Sequence, residues 1–178
     1  MKLYHGTTCT NGESILKEKS ININCIGEYD KDSYNEETKT TKGFIYLSTE
    51  PYLAYYYAQK HSVFSNETKC YVFQVEVDEK DLFVDSDEAR LIAKISPEEI
   101  KKMSVSESLS RYNYNTVRTN KKLKINADVK AFALAPVLHQ IKDEHDHDSI
   151  RNCMFKDPTE LSQSDKRAFN KIIRFTNL

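Results

Sequence analysis

Two short segments near the start of the chain carry the residues best suited to chemistry on a small ligand. The first is Tyr4-His5-Gly6-Thr7, which ends a predicted strand, and the second is Lys42-Gly43-Phe44-Ile45-Tyr46-Leu47-Ser48-Thr49. The run Tyr55-Tyr56-Tyr57 follows on a predicted helix. Together they combine an imidazole, hydroxyls, aromatic rings and a glycine whose backbone carries no Cβ. These residue types suit the binding of a small ligand.

A second group of reactive side chains lies near residue 140, but its pattern does not indicate a metal site. His139 is followed by Asp143-Glu144-His145-Asp146-His147-Asp148. Such adjacent residues do not converge from one face on zinc or nickel. The four cysteines are widely spaced and contain no C-x-x-C pair. We expect no metal site, and we interpret residues 143–148 as a solvated loop.

Charge is balanced over the whole chain and uneven along it. The formal net charge is −1, far from the strongly basic balance of a dedicated nucleic-acid binder. Residues 28–88 carry 14 acidic and 6 basic side chains, whereas residues 101–130 carry 8 basic and 2 acidic ones. Arg118 lies in the basic stretch, and its planar guanidinium can hold a phosphate or a pyrophosphate. The alternative is that these lysines and arginines only solvate the edge of a sheet.

Hydrophobic periodicity and helix-start signals predict one α+β domain over residues 1–178. Strands are predicted at Lys2–His5, Gly43–Ser48, Cys70–Val77, Leu82–Val84, Tyr114–Thr119 and Val129–Leu138. Helices are predicted at Gly12–Lys19, after Thr49-Glu50-Pro51, after Ser96-Pro97-Glu98-Glu99 and at Asp165–Phe175. The alternation within Cys70–Val77 is typical of a half-buried strand, and the polar residues 20–42 predict a long loop able to cover a substrate.

The sequence carries no signal for a membrane or secreted protein. No apolar run approaches the roughly 18 residues of a membrane span, and the N-terminal segment lacks the apolar core of a signal peptide. The cysteine usage fits a reducing compartment. We expect a cytoplasmic protein without membrane contact.

The order of the two N-terminal segments resembles the ADP-ribosyltransferases, in the branch of diphtheria toxin and the poly(ADP-ribose) polymerases with a His-Tyr-Glu signature. The match covers residues 2–58. It consists of His5-Gly6 on a first strand, a helix, a variable loop, Gly-x-x-Tyr at 43–46 on a strand, and a helix with alanines and tyrosines. The resemblance implies a single ADP-ribosyltransferase-like domain with two small, packed antiparallel or mixed sheets and flanking helices. It also implies NAD as the substrate.

The resemblance further implies a role in NAD binding for each residue of the site. His5 would hydrogen-bond the ribose next to the adenine, and the backbone of Gly6 would bind the nicotinamide carboxamide. Tyr46 would lie against the nicotinamide ring, whose positive charge favours an aromatic face. Either Tyr56 or Tyr57 would cover the other side of the ring, and the spacing does not decide between them. Neighbouring hydroxyls that could contribute are those of Thr7 and Ser48.

The third residue of the signature, a glutamate that opens a late strand, has no clear counterpart. In the family it hydrogen-bonds the nicotinamide-side ribose and helps to activate the acceptor. The best strand match, Tyr112 to Arg118, puts Tyr114 or Asn115 there, and neither is a good general base near neutral pH. Glu107 and Asp128 are further candidates in a shifted register. In the family, departures at this position go with mono- rather than poly-ADP-ribosylation, or with loss of activity.

We therefore expect a mono-ADP-ribosyltransferase that cleaves NAD at the nicotinamide–ribose bond, with His5, Tyr46 and Asn115 as catalytic residues. The acceptor is a macromolecule, with RNA or DNA slightly favoured over protein. The size and the resemblance suit a bacterial toxin of a toxin–antitoxin or phage-defence system, with an antitoxin protein as partner, or a phage-encoded modifier. Three alternatives remain open: an NAD glycohydrolase, an RNA 2′-phosphotransferase, and an inactive module that binds a nucleotide or a partner.

Overall fold

The structure, a computed structural model, describes residues 1–23, 41–91, 94–111 and 115–178 and is mixed α+β. The described strands are β1 (Lys2–Thr8), β2 (Ser20–Ile21), β3 (Ile45–Ser48), β4 (Lys69–Glu76), β5 (Phe83–Val84), β6 (Thr116–Thr119), β7 (Leu123–Lys124), β8 (Val129–Pro136) and β9 (Thr176–Asn177). The described helices are α1 (Cys9–Glu18), α2 (Pro51–Phe64), α3 (Ser86–Leu91), α4 (Pro97–Lys102), α5 (Val105–Arg111), α6 (Glu144–Phe155) and α7 (Gln163–Ile172).

Seven of the described strands form one antiparallel sheet in the order β5-β6-β3-β1-β4-β8-β9. β1 pairs with β4 along its whole length, but its only described pair with β3 is Tyr4 with Ser48. That pair joins β5-β6-β3 to β1-β4-β8-β9, so the prediction of two small, packed sheets is corrected to one sheet with a narrow join. The described strands β2 and β7 form a separate two-stranded sheet.

Both faces of the central sheet are covered. Phe73 and Val75 of β4 lie in a core cluster with residues of α1 and of the two-stranded sheet. Cys70 and Val72, which point the other way, pack with α2, α6 and α7. The alternation predicted for Cys70–Val77 is confirmed, but the prediction of a half-buried strand is wrong because helices cover its second face.

Side-chain acceptors for free N–H groups and a proline in the first turn mark where the first two helices begin. The carboxylate of Glu67 accepts hydrogen bonds from the backbone N–H of Cys9 (2.5 Å) and from Thr10 (3.2 Å), so α1 starts at Cys9, before the predicted Gly12. α2 starts at Pro51, as its sequence signal predicts, with Glu50 as the N-cap residue. The helix continues to Phe64.

The largest departure from the sequence prediction is α6, which occupies the segment interpreted as a solvated loop. Asp143 caps this helix by accepting a hydrogen bond from the backbone N–H of Asp146 (2.9 Å). Ile150 and Cys153, later in the helix, are buried against α2 and α7. The helix was not predicted because its first turn is polar and its apolar contacts begin only later in the helix.

The C-terminal helix is also displaced from its predicted range. α7 begins at Gln163 because Ser162 and Asp165 form a reciprocal capping box, and it ends at Ile172. Beyond it, β9 pairs with β8 at the edge of the sheet.

The predicted loop at residues 20–42 is only partly described. Its first two residues form β2, and residues 24–40 lie outside the described residues, as does Tyr114. None of the helices in the described ranges combines the length and the apolar character that a membrane span requires.

Candidate functional site

His5 and Tyr46 lie on neighbouring strands and are in direct contact. Nδ1 of His5 is 3.0 Å from the backbone oxygen of Tyr46. A carbonyl oxygen only accepts, so Nδ1 carries the proton, and Nε2 of the neutral ring is an acceptor. Burial lowers the pKa of His5, against the opposing effect of this hydrogen bond, so the ring is neutral at physiological pH. The half-buried imidazole can thus accept a hydrogen bond from a ligand hydroxyl.

Gly6 is the point at which α2 approaches β1 most closely. A Cβ atom at this position would lie 1.9 Å from the backbone oxygen of Ala54 and 3.0 Å from Cβ of Ala58. No side chain fits there without displacing the helix backbone. The packing of α2 on β1 therefore requires glycine at this position, whether or not its backbone also binds a ligand.

The ring of Tyr46 is fixed by α3. Its hydroxyl donates to Oδ2 of Asp87 (2.5 Å) and lies 3.0 Å from the backbone oxygen of Thr41. Thr41 also donates to this carboxylate from its N–H (2.8 Å) and its hydroxyl (2.7 Å). Burial and the contact with Asp87 raise the pKa of Tyr46. Burial would also raise the pKa of Asp87, but the hydrogen bonds donated to Asp87 by Thr41 and Tyr46 outweigh this effect and lower it. The hydroxyl is thus engaged, and the half-buried ring is held in one orientation.

The structure separates the three tyrosines of α2. Tyr55 is fully buried, and its hydroxyl donates to the backbone oxygen of Pro136 (2.8 Å). Tyr56 packs on Phe155 of α6 with ring centroids 5.5 Å apart. Tyr57 lies close to Glu88 of α3 and to Asp85 just before it. Burial and the charges of these two carboxylates raise the pKa of Tyr57 to about 12. Of the two rings that the spacing left open, Tyr57 is the one beside the α3 carboxylates.

α3 brings acidic residues to the start of β6. Asp85 caps the helix by accepting from the backbone N–H of Asp87 (3.1 Å) and of Glu88 (3.2 Å). Oε2 of Glu88 accepts from the hydroxyl of Thr116 (2.6 Å), which opens β6 and pairs with Ser48 of β3. These acidic residues were not among the site residues predicted from the sequence. The signal was a cluster of acids directly after a short apolar strand.

Arg118 lies opposite Tyr46 on the neighbouring strand β6. Its guanidinium carbon is 4.0 Å from the centre of the Phe44 ring, a cation–π contact. Its Nε and Nη1 are buried and have no hydrogen-bond partner among the described residues. Buried donors without partners are rare in proteins, and two neighbouring guanidinium N–H groups match a pair of phosphate oxygens.

The other predicted hydroxyl and amide groups have structural partners or are buried. Oγ of Ser48 donates to the backbone oxygen of Glu50 (2.7 Å), and Thr7 is buried. Oδ1 of Asn115 accepts from the hydroxyl of Thr49 (3.3 Å), which ties the start of β6 to the turn before α2. Tyr46 pairs with Arg118, whereas Asn115 lies three residues before Arg118, just ahead of β6, and contacts Thr49 instead.

The remaining third-position candidates lie elsewhere. Asp128 accepts from Nζ of Lys121 (3.0 Å) and from the backbone N–H of Lys124 (2.8 Å), and it lines a polar hollow with Met1 at the start of β1. Glu107 is in the first turn of α5. In the described part of the chain, no cluster of histidine, cysteine and acidic side chains is arranged to hold a metal ion.

Comparison of the chain with models of known protein families and with curated proteins gives no match in either. The interpretation of the site therefore depends on the chemistry of its own residues. These are an imidazole and an anchored tyrosine on β1 and β3, an arginine with unpartnered donors on β6, and carboxylates from α3.

Proposed function

We propose that this protein is a mono-ADP-ribosyltransferase that binds NAD at the junction of β1, β3 and β6. The observation that carries the proposal is the order β6-β3-β1 in the sheet. It brings the His5 strand, the Tyr46 strand and the predicted late strand side by side, although the late strand lies some 70 residues beyond Tyr46 in the sequence. This strand order supports the proposal that the two sequence motifs and the late strand contribute to one site.

The residues present fit the parts of NAD. The neutral His5 offers Nε2 as an acceptor for the adenine-side ribose. Tyr46 and Tyr57 offer aromatic faces to the cationic nicotinamide ring, and the backbone of Gly6 is proposed to bind the carboxamide. Nε and Nη1 of Arg118, which have no hydrogen-bond partner in the described part of the chain, suit the diphosphate.

The proposed reaction needs orientation and charge stabilisation more than covalent help from the protein. The bond between ribose C1′ and the nicotinamide nitrogen breaks, and the electron pair leaves with neutral nicotinamide. The tyrosines hold the departing ring, while Arg118 holds the diphosphate. An acceptor oxygen or nitrogen then bonds to C1′ and loses its proton, as in related glycosidic chemistry.

A macromolecular acceptor remains our proposal, with nucleic acid slightly favoured over protein. Two lysines of the basic stretch at residues 101–130 form ion pairs in the structure. Lys121 pairs with Asp128, and Lys130 pairs with Glu76. Exposed lysines that could contact phosphates are Lys101, Lys102, Lys122 and Lys124. We further propose a cytoplasmic bacterial toxin, of a toxin–antitoxin or phage-defence system, with an antitoxin partner.

The second candidate is an inactive nucleotide-binding module of the same fold. It is favoured by β6 itself, whose residues Thr116–Thr119 include no carboxylate. An NAD glycohydrolase, with water as acceptor, is the third.

The test is incubation of the purified protein with adenylate-labelled NAD in a cell lysate, followed by nuclease or protease treatment. Nuclease-sensitive label identifies a nucleic-acid acceptor, protease-sensitive label a protein acceptor, and free ADP-ribose alone a glycohydrolase. His5→Ala and Tyr46→Ala should each abolish transfer while leaving the circular dichroism spectrum unchanged. Binding of NAD without turnover would identify the inactive module.

A further inference from the structure

We propose that Glu88, on α3, supplies the carboxylate that accepts the acceptor's proton, in place of a glutamate on the late strand. This inference rests on the proposed function. Its starting point is that β6 opens with Thr116, whose hydroxyl donates to Oε2 of Glu88 (2.6 Å). A carboxylate is therefore present at the start of β6, although it comes from another element.

The neighbouring carboxylates are committed to other contacts. Asp85 is buried, and its Oδ1 accepts the backbone N–H groups that begin α3. Asp87 accepts from the Tyr46 hydroxyl and from Thr41. Within the described residues, Glu88 accepts a hydrogen bond only at Oε2, from Thr116. Its Oε1 is the carboxylate oxygen of α3 that is left to meet a ligand.

The position of Glu88 suits the reacting end of NAD. Thr116 pairs with Ser48, two residues from Tyr46, and the charge of Glu88 acts on Tyr57. The carboxylate thus lies at the start of β6 and beside Tyr57, one of the two rings proposed to hold nicotinamide. Glu88 is half-buried, so both a ligand and an acceptor can reach it.

The proton balance of the step is simple. As the acceptor oxygen or nitrogen bonds to C1′, its proton passes to Oε1 of Glu88, and nicotinamide leaves with the electron pair of the broken bond. The protonated Glu88 later releases the proton to water. Thr116 is a positioning residue, since its hydroxyl contacts the carboxylates of Glu88 and Asp85 and is given no contact with NAD.

The groups around Glu88 also predict how the reaction responds to pH. Burial and the charge of Asp85 raise the pKa of Glu88, against the hydrogen bond from Thr116. The other titratable group that interacts with it is Tyr57 from α2. Transfer should fall as the pH drops through this raised pKa, because a protonated carboxyl group cannot accept a proton.

The experiment compares Glu88→Gln with a matched control, Glu98→Gln, whose glutamate lies in the first turn of another six-residue helix and is exposed. Each variant is assayed with labelled NAD for acceptor labelling over a range of pH, and for NAD binding by calorimetry. We expect Glu88→Gln to lose about 100-fold or more in labelling and to lose the acid limb of the pH profile. NAD affinity should stay within about threefold of wild type, because glutamine can still hydrogen-bond a ribose hydroxyl. Glu98→Gln should match wild type in all three readouts.

Thr116 variants provide the second arm. Thr116→Val should weaken transfer about tenfold, and Thr116→Ser, which keeps the hydroxyl, should restore it. If wild type labels an acceptor and Glu88→Gln does so equally well, this inference is overturned and the proposed function stands. If wild type neither binds nor cleaves NAD, both fall together.

Discussion

The hydroxyl of Tyr46 binds Asp87, and its ring is proposed to stack on nicotinamide. Replacing Tyr46 by phenylalanine separates these two roles. The hydroxyl has one proton and two acceptors within reach, Asp87 at 2.5 Å and the Thr41 carbonyl at 3.0 Å. The shorter distance and the charge direct the proton to Asp87. Tyr46→Phe removes that bond and keeps the aromatic face, so stability should change more than NAD cleavage does.

The expected magnitude follows from the bond that is lost. A hydrogen bond to a charged group contributes about 1.5–3 kcal/mol. Tyr46 and Asp87 are both half-buried, and Thr41 still donates twice to the carboxylate, so we expect a loss of about 1–2 kcal/mol in the free energy of unfolding. For a domain of this size, that lowers Tm by about 2–8 °C.

The assays are urea unfolding and release of nicotinamide from NAD. Tyr46→Phe should keep nicotinamide release within about tenfold of wild type. Tyr46→Ala loses the stacking face, so its release should fall by about 100-fold, enough to abolish detectable transfer. Tyr55→Phe is the matched control: it removes a buried hydroxyl outside the site, so it should cost about 1 kcal/mol and leave release unchanged. Equal inactivity of Tyr46→Phe and Tyr46→Ala would refute the stacking role, and an unchanged unfolding free energy would refute the Asp87 contact.

Two further predictions concern the scaffold. Gly6→Ala should lower the free energy of unfolding by about 3 kcal/mol in a urea titration, because the new Cβ would lie 1.9 Å from the Ala54 carbonyl; a loss below about 1 kcal/mol would contradict this packing. Burial would raise the pKa of Asp165, but hydrogen bonds from Ser162 and Asn152 outweigh it and lower the pKa below its ordinary 3.8. The stability from this carboxylate is therefore present above about pH 4 and lost as the pH falls below it. Asp165→Asn should lower the free energy of unfolding by about 1 kcal/mol at pH 7 and make it less sensitive to acid below about pH 4. If the variant and the wild type lose stability equally as the pH falls, the capping geometry is contradicted.

The sequence allowed prediction of the elements with strong local signals. The strand that carries His5, the strand that carries Tyr46 and the helix that begins at Pro51 are all confirmed, because apolar runs and helix-start residues are local properties. The meeting of His5 and Tyr46 followed only from the family resemblance. The identities of these two residues do not predict that β1 pairs with β3.

The acidic residues of α3 show why the rest of the site could not be predicted. Asp87 and Glu88 follow a two-residue strand and occupy the first turn of a short helix, where acidic residues are common for electrostatic reasons alone. Their significance arises from long-range contacts with Tyr46 and Thr116. The narrow join between β1 and β3 is likewise a property of strand pairing and not of either strand.

The most direct test of the central claim is release of nicotinamide by the purified protein from NAD in the presence of a cell lysate. We expect release by wild type and by Tyr55→Phe, and a loss of release in His5→Ala and Tyr46→Ala at unchanged fold. Absence of nicotinamide with wild type, or equal release by all four proteins, would contradict the assignment of this site to NAD cleavage.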